Sequence, residues 1–485
     1  MVVADVLLDL AGVGVGNDAA DTGDCAPDEV RCAGAERPLG FRRRETLRSE
    51  PARHVMQTRW TDRYAQRMQT MRSSTVRELL KLTTQPDIIS FAGGLPGADL
   101  FPIDEFRAAC WRVFRDSGSR ALQYSATEGE RPLRKMIARH TGRYGIVVNE
   151  DNVLITTGSQ QALDLIGKAF LNPGDHVLVE RPTYLGALQA WNAYQAEYLT
   201  VGIDDQGMRT DELEAALRGG PKFVYALPNF QNPTGVTLSL ERRQALIRLA
   251  DRHGVPLLED DPYGQLRYEG DHVPSLVALD AEYRGLADAG YSGNVLYMST
   301  FSKTLAPGLR LGWIIGPADV IRRLAQAKQG VDLHTSPLVQ LLTYEVARSG
   351  FLDRHVRLLR LVYASRRDAM LAAMSTWFPT GPAGLRWTRP AGGLFIWVTL
   401  PEGMDATDVL HEALAEKVAF VPGASFFADG SGKNTMRLNF TNASIERIED
   451  GIARLGRVLR RFRQSSSAAG SRRAHLAAST TPSSS

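Results

Sequence analysis

Cysteine is scarce in this sequence: three residues occur among 485, and two of them, Cys25 and Cys32, lie in a stretch without hydrophobic periodicity. A disulfide framework is therefore not expected, and a reducing cytoplasm is the compartment that the composition favours. Long apolar runs are also missing. The apolar start of the chain is interrupted by Asp5 and Asp9 and lacks the basic residues that open a signal peptide. The sequence thus predicts neither an export signal nor a membrane span.

Charge of one sign is not in excess, because 57 basic side chains are balanced by 54 acidic ones and the formal net charge is +3. A general attraction to nucleic acid or to an anionic membrane is therefore not expected. The nine histidines show no His-Glu-x-x-His spacing, and no His, Cys and Asp residues cluster at metal-ligand intervals. We predict no metal, and we expect the partners to be small molecules.

The two ends of the chain differ in composition from its middle. Residues 1–30 contain seven acidic side chains and no basic one, and an arginine cluster follows at 42–44. Such a segment cannot bury enough apolar surface to offset its ordering entropy, so residues 1–57 are predicted to be a disordered leader. The Ser-, Ala- and Thr-rich residues 464–485 are predicted to be a disordered tail for the same reason.

Between these ends, short β-rich runs alternate with amphipathic stretches, which is typical of an α/β fold with a mostly parallel sheet covered by helices. Strands are predicted at 153–156, 176–180, 223–227, 256–259, 295–298 and 311–315, and helices at 160–171 and 240–253. A long helix at 351–377 and strands at 394–399 and 436–440 then indicate a smaller α+β domain. We expect an arm with part of the small domain at 58–108, a large domain at 109–348 and the rest of the small domain at 349–463.

Polar side chains directly follow several of the predicted strands. In open α/β sheets, ligands bind outside the carboxyl ends of the strands, so these side chains are expected to converge on one crevice. Each of them alone has an ordinary explanation as a helix cap, a turn residue or a solvated charge. Their order and their shared position favour one site instead. The residues concerned are Ser159, Gln160, Asn232, Asp260, Thr300, Ser302 and Lys303.

The same segments resemble the class I/II aminotransferases of fold type I, which use pyridoxal 5'-phosphate (PLP). The run STFSKTLAPGLRLG at 299–312 resembles the lysine signature of that family, and NPTG at 232–235 and DDPY at 260–263 resemble its asparagine and Asp-x-x-Tyr elements. The runs FAGGLP at 91–96, YSATEG at 124–129, TTGSQQA at 156–162 and AKQGVDLHT at 327–335 are similar to the 2-aminoadipate and kynurenine aminotransferase group. The resemblance extends over roughly residues 60–463.

The resemblance implies the roles of the residues that surround the cofactor ring. Lys303 holds PLP as a Schiff base and, once substrate displaces it, acts as the general base at Cα. Asp260 keeps the pyridine nitrogen protonated, so that the ring accepts electrons. Asn232 and Tyr263 hydrogen-bond the phenolic oxygen. Tyr184 stacks on the ring face, although a core aromatic at this position remains an alternative interpretation.

The resemblance also implies a phosphate site at a helix N-terminus, where free N–H groups and the helix dipole favour an anion. Thr300 stands where the related enzymes usually have serine, and it keeps the hydroxyl. The residues expected to hold the phosphate are Ser159, Gln160, Thr300, Ser302 and Arg310, with Tyr124 reaching the phosphate of a neighbouring subunit. A homodimer with shared active sites follows from that last assignment.

Substrate recognition is expected from Arg437, because a planar guanidinium binds a carboxylate through two parallel hydrogen bonds. The resemblance also implies that Asn232 lies beside this α-carboxylate site and that Arg77 binds a distal carboxylate of the substrate. It further implies that Gly94 leaves room for substrate side chains of several shapes. The implied reaction moves the amino group of 2-aminoadipate, a branched-chain or an aromatic amino acid to a 2-oxo acid, with 2-oxoglutarate as the expected acceptor.

Two alternatives from other classes remain open at this point. A MocR-like transcription regulator carries an aminotransferase-like domain behind a DNA-binding module, but residues 1–55 show an acidic stretch and an arginine cluster where that module needs amphipathic helices. A PLP-dependent β-lyase or racemase uses the same fold, because the cofactor supplies the difficult chemistry and the surrounding groups select its outcome.

Overall fold

The computed structural model describes residues 58–71, 85, 87–145, 148–286, 290–378 and 384–479. The predicted leader at 1–57 and the predicted substrate residue Arg77 lie outside them. A short 3-10 helix at Trp60–Arg63 belongs to a separate compact unit that ends at Gln66. Apart from the first residue of α1, the elements described next belong to the unit that begins at Arg67.

The strands are β1 (Ile89–Ser90), β2 (Val153–Thr156), β3 (His176–Arg181), β4 (Glu197–Asp204), β5 (Gly207–Met208), β6 (Val224–Ala226), β7 (Leu257–Asp260), β8 (Val295–Thr300), β9 (Gly312–Ile315), β10 (Arg386–Trp387), β11 (Phe395–Thr399), β12 (Val418–Ala419), β13 (Val421–Pro422) and β14 (Thr435–Asn439). The helices are α1 (Gln66–Thr70), α2 (Ile103–Ala121), α3 (Arg131–Gly142), α4 (Ser159–Phe170), α5 (Leu185–Asn192), α6 (Thr210–Leu217), α7 (Leu240–Arg252), α8 (Leu276–Tyr283), α9 (Ala318–Gln329), α10 (Pro337–Ala347), α11 (Phe351–Trp377), α12 (Ala406–Ala415) and α13 (Ile445–Ser479).

The large sheet has eight strands in the order β2-β9-β8-β7-β6-β3-β4-β5. Neighbours from β8 to β4 pair in parallel, whereas β9 is antiparallel to both β2 and β8, and β5 is antiparallel to β4. Strands β6, β7 and β8 are buried along their whole length. Such fully buried strands occur where helices cover both faces of a parallel sheet.

Alternate residues of these strands pack into two separate cores, as the two-residue period of a strand requires. Val153 and Ile155 of β2 face one cluster, together with helices α3, α7 and α8. Leu154, between them, faces a second cluster that includes buried residues of α4, α5 and α9. The sheet is therefore the middle layer of three.

A second, smaller sheet is antiparallel and has the order β10-β11-β14-β13. Beside it, β1 and β12 form a two-stranded parallel pair. A third apolar cluster joins this region to helices α11, α12 and α13. The predicted fold class is confirmed: a large, mostly parallel sheet with covering helices and a smaller α+β part.

Most predicted elements lie within one or two residues of the observed ones, and the strand at 153–156 and the helix at 351–377 match them in full. Strand β4 is not among the predictions because most of its side chains are only partly buried, which weakens its apolar signal. Helix α13 runs on to Ser479, beyond the point at which a disordered tail was expected. Alanine and arginine, which favour helix, are frequent between 468 and 478.

Candidate active site

A cavity of about 310 Å³ lies at the carboxyl ends of β6, β7 and β8, a volume within the range of small-molecule sites. Its lining brings together most of the side chains predicted for the site, which are Gly94, Ser159, Gln160, Tyr184, Asn232, Asp260, Tyr263, Thr300, Ser302, Lys303, Arg310 and Arg437. Tyr124 is not part of this lining and is 79% exposed. The large sheet supplies most of the cavity, and β14 of the small sheet supplies Arg437.

Lys303 follows β8 within a turn and points back to the N-terminal part of the chain. Its Nζ donates a hydrogen bond of 2.6 Å to the carbonyl oxygen of Gly94. Desolvation, with help from the positive charges of Arg437 and Arg310, lowers the pKa of the Lys303 amine to about 8. The amine can therefore be neutral, and nucleophilic, close to neutral pH.

Asp260 ends β7 and is only 2% exposed. Its Oδ2 accepts a 2.7 Å hydrogen bond from the hydroxyl of Tyr225 on the neighbouring β6. Its Oδ1 is buried and has no hydrogen-bond partner among the described residues. Burial raises the pKa of this carboxyl to about 7, the Tyr225 hydrogen bond lowers it, and the nearby Asp261 carboxylate raises it. Oδ2 is thus fixed by a hydrogen bond, while Oδ1 can still accept one from a ligand.

Arg437 connects the small sheet to the strand ends of the large one. Its Nη1 donates to Oδ1 of Asn232 at 2.7 Å, and its Nη2 donates to the carbonyl oxygen of Ala92 at 2.8 Å. The Nδ2 of Asn232 in turn donates to the hydroxyl of Tyr263 at 3.4 Å. Within the described part of the chain, the buried Nε of Arg437 has no partner. The Nε–H of the guanidinium is therefore available to a ligand, while Asn232 holds the orientation of the group.

Two aromatic rings flank the guanidinium of Arg437. Its central carbon lies 4.1 Å from the ring centre of Phe395 and 4.9 Å from that of Phe426. Desolvation lowers the pKa of Arg437 to about 10, and the Tyr263 and Tyr184 hydroxyls oppose that shift. A cation held between ring faces in an apolar setting is suited to an anionic partner such as a carboxylate.

The predicted phosphate site is assembled around the N-terminus of α4. The Oγ1 of Thr300 lies 2.8 Å from Oγ of Ser302 and donates to the carbonyl oxygen of Leu311 at 2.8 Å. A Cβ at Gly312 would lie 3.1 Å from the backbone nitrogen of Ser159, so the glycine allows β9 to approach the helix start closely. Arg310 adopts a left-handed conformation with φ 49°. Its guanidinium lies against Gly158, where an added Cβ would come within 2.6 Å of Nη2.

A polar network supports the loop that leads into α4. Asp332 accepts hydrogen bonds from Oγ1 of Thr157 at 2.9 Å and from Nε2 of Gln161 at 2.7 Å. Its other oxygen accepts from Nζ of Lys328, whose side chain is fully buried. The segment after Asp332 carries His334, whose ring contacts that of Tyr124 edge-on at 5.7 Å. The network thus links the start of α4 with the exposed Tyr124.

The side chains present suit PLP on three counts. Ser159 has a buried Oγ without a hydrogen-bond partner in the described ranges, at a helix N-terminus that favours a phosphate. The free Oδ1 of Asp260 would accept a hydrogen bond from the protonated ring nitrogen of PLP. The amine of Lys303, in the same cavity, would form a Schiff base with the aldehyde carbon of PLP. An α/β fold with this site defines the class of a PLP-dependent enzyme of fold type I.

The chain belongs to the aminotransferase class I and II family, whose model matches residues 86–455. It is 44% identical over 397 residues to aromatic-amino-acid aminotransferase 1 of Thermococcus litoralis, with 80% of this chain and 92% of that protein aligned. It is also 44% identical over 402 residues to the 2-aminoadipate transaminase of Thermus thermophilus, covering 83% and 97% of the two chains.

A solved structure supports the same assignment. The α-aminoadipate aminotransferase LysN of Thermus thermophilus, complexed with N-(5'-phosphopyridoxyl)-L-leucine, matches with a TM-score of 0.76 and 42% identity. The match covers 83% of this chain and 98% of that one. The predicted enzyme class and cofactor are confirmed: the protein is a PLP-dependent aminotransferase.

Several lining residues are missing from the sequence-based prediction. Leu95, Leu185, Gln189 and Phe426 also line the cavity, and the hydroxyl of Tyr225 donates a hydrogen bond to Asp260. Tyr225 carried a usable signal, because a tyrosine in a strand buried on both faces needs a partner for its hydroxyl. Phe426 carried none, since it lies in a short 3-10 helix outside any motif.

No helix within the described residues is both long and apolar enough to cross a bilayer. No group of three or more His, Cys, Asp or Glu side chains in those same ranges is arranged to hold a metal ion.

Proposed function

We propose that this aminotransferase takes 2-aminoadipate, branched-chain or aromatic amino acids as donors and 2-oxoglutarate as the acceptor. Relatives named for 2-aminoadipate and for aromatic amino acids support the range of donors. A solved neighbour that holds a phosphopyridoxyl-leucine adduct supports an aliphatic donor. A cytoplasmic location is part of the same proposal.

The observation that carries the proposal is the buried Arg437, held by Asn232 and Ala92 between two aromatic rings. Every α-amino acid and every 2-oxo acid has a carboxylate next to the reacting carbon. A guanidinium fixed at one point in the cavity would hold the reacting carbon of both substrates at the same position relative to Lys303. The α-carboxylate is therefore the group through which both substrates bind, and the rest of the cavity discriminates between their side chains.

The remaining residues are assigned by the group of the cofactor that each would hold. Bound PLP supplies an electron-accepting ring for bond changes at the substrate Cα. Lys303 would hold it covalently and then move the Cα proton, a task that suits an amine with a pKa of about 8. Asp260 would face the ring nitrogen, Asn232 and Tyr263 the phenolic oxygen, and Tyr184 the ring face. The phosphate would be held by Ser159, Gln160, Thr300, Ser302 and Arg310.

A homodimer with shared sites belongs to the same proposal. Tyr124 is 79% exposed, and Leu122, two residues before it in the sequence, is 72% exposed. Large side chains exposed to this extent are available for contact with a second subunit. Sedimentation should give a dimer, and mixing Tyr124→Phe chains with Lys303→Ala chains should change activity in the mixed dimers. A fully active monomer would refute sharing.

The test of the donor range is a panel of amino acids assayed against 2-oxoglutarate and compared as kcat/KM. Transamination requires that glutamate and the 2-oxo acid of the donor appear in equal amounts. A β-lyase would instead release ammonia, and a racemase would produce the D-amino acid without consuming 2-oxoglutarate. Either of those results, in the absence of glutamate formation, would contradict the proposed reaction.

A further inference from the structure

The pairing of two neighbouring strands places Tyr225 behind Asp260. Strands β6 and β7 are parallel, and Tyr225 lies opposite Leu258. Asp260 is two residues further along β7 and therefore points to the same face of the sheet as Leu258 and Tyr225. The hydroxyl of Tyr225 reaches diagonally across the strand pair and donates to Oδ2 of Asp260 at 2.7 Å.

Tyr225 itself is held firmly in the second apolar cluster. It is fully buried, and the ring of Trp191 contacts it edge-on at 5.1 Å between ring centres. Trp191 is fixed in turn, because its indole N–H donates to the carbonyl oxygen of Leu163 at 3.0 Å. The hydroxyl of Tyr225 therefore has a defined position, and Asp260 is held in place by a residue outside the cavity lining.

We infer that Tyr225 is a positioning residue for the transamination, which fixes Asp260 so that its Oδ1 faces the cofactor nitrogen while Oδ2 stays occupied. This inference rests on the proposed role of Asp260. The different hydrogen bonding of the two oxygens supports the inference, because Oδ2 accepts from Tyr225 while Oδ1 is buried without a partner among the described residues. A carboxylate held by one oxygen presents the other in a single orientation.

The electrostatics of the pair point the same way. Burial and the Asp261 carboxylate raise the pKa of Asp260, and the hydrogen bond from Tyr225 is the interaction that lowers it. Burial, followed by the Asp260 carboxylate, raises the pKa of Tyr225 well above its ordinary value, so its hydroxyl remains a donor; Tyr184 and Glu180 act in the same direction. Tyr225 therefore favours the ionised Asp260, which is the form that keeps a pyridine nitrogen protonated.

An ordinary explanation also exists, in which Tyr225 is a core aromatic whose hydroxyl merely requires an acceptor. The chain offers a matched control for that view. Tyr297 on β8 is also buried, and its hydroxyl donates to Oδ2 of the next carboxylate, Asp261, at 3.3 Å. It lies outside the cavity lining. Tyr225→Phe and Tyr297→Phe remove the same atom from the same kind of partner.

The experiment compares the two variants as holoenzymes with wild type. Tyr225→Phe should lower kcat roughly 10-fold and raise the dissociation constant for PLP by a similar factor, with KM for the donor little changed, because a hydrogen bond to a charged group is lost. NMR of PLP isotopically labelled at the ring nitrogen should report a less protonated nitrogen. Tyr297→Phe should leave all of these values within about two-fold of wild type, whatever its effect on thermal stability.

Asp260→Asn separates failure of this inference from failure of the proposed site. If Asp260→Asn retains normal turnover and PLP affinity, the role of Asp260 itself is wrong. If Asp260→Asn is impaired but Tyr225→Phe matches wild type in kcat, PLP affinity and ring-nitrogen protonation, the positioning role of Tyr225 is overturned. Equal losses in the Tyr225 and Tyr297 variants would likewise overturn it, because they would reflect a general effect on the core.

Discussion

The cavity has two halves that are built in different ways. The cofactor half is made from the ends of β6, β7 and β8 and the start of α4, so its side chains follow directly from adjacent elements of one sheet. The substrate half depends on distant parts of the chain: Arg437 bonds to Asn232, 205 positions away, and to Ala92, 345 positions away. One half is a property of a single sheet, and the other exists only when the small sheet packs beside it.

This difference predicts which measurements each half controls. Changes in the cofactor half should act first on PLP affinity and its protonation state. Changes in the substrate half should act on kcat/KM for donors and leave PLP affinity close to normal. Lys303 is the exception, because its Nζ contacts the carbonyl oxygen of Gly94, 209 positions away, and so belongs to both halves.

The largest effect is therefore expected from Lys303→Ala. Loss of the amine removes both the covalent link and the proton carrier, so turnover should fall by more than about a thousandfold while the fold persists. The absorbance of bound PLP and the transamination rate measure the two losses separately. Lys222→Ala is a suitable control, because that lysine forms a surface ion pair with Asp175 at 3.5 Å, outside the cavity lining. Substantial turnover in the Lys303 variant would refute the site assignment.

Arg437→Lys tests the substrate half alone. Lysine keeps the charge but lacks the planar guanidinium with its two parallel N–H donors. The variant should therefore lose about 3 kcal/mol of transition-state binding, which lowers kcat/KM for every donor roughly 100-fold. PLP affinity should change by no more than a few-fold. Arg366→Lys is the control: this arginine is also buried and donates to the carbonyl oxygen of Thr441 at 2.6 Å, but it lies outside the cavity lining. A parallel fall in PLP affinity would show that the two halves are not separable.

The contrast between the halves also explains what the sequence could predict. Strand ends of one sheet converge by topology, so Asp260, Thr300 and Lys303 could be placed together from strand positions alone. Arg437 could be assigned only through a family resemblance, because no local pattern indicates which strand of a second sheet will face the first. The sequence could indicate that the Tyr225 hydroxyl needs a partner, but naming Asp260 as that partner required the register between β6 and β7, which side-chain periodicity does not specify.

Arg77→Gln addresses donor choice within the substrate half. If Arg77 pairs with a distal carboxylate, the variant should lose about 1 to 3 kcal/mol in kcat/KM for 2-aminoadipate and glutamate, the scale of a hydrogen bond to a charged group. Leucine and phenylalanine should be almost unaffected. The ratio of kcat/KM between acidic and apolar donors is the decisive quantity. Equal losses for all donors, accompanied by lower thermal stability, would instead indicate that Arg77 braces the N-terminal segment.

Asp332→Asn should have the smallest effect and should be confined to the cofactor half. The carboxylate accepts from Thr157 and Gln161, which fix the loop before α4, and from the buried Lys328. Thr157 and Gln161 share one oxygen and Lys328 uses the other, so an amide, with a single accepting position, cannot satisfy both sides. The support of the loop should weaken, and the PLP dissociation constant should rise several-fold, about 1 kcal/mol. At saturating PLP, kcat and the donor KM should match wild type.

The control for that variant is Asp353→Asn, which removes one charge from a pair with Arg143 at 2.5 Å, outside the cavity lining. Both substitutions should lower thermal stability, since each weakens an ion pair, but only Asp332→Asn should release PLP during dialysis. Because Asp332 is followed by the segment whose His334 contacts Tyr124, the dimer dissociation constant should be measured on the same samples. A weaker dimer with normal PLP affinity would place Asp332 in the interface instead of the phosphate site.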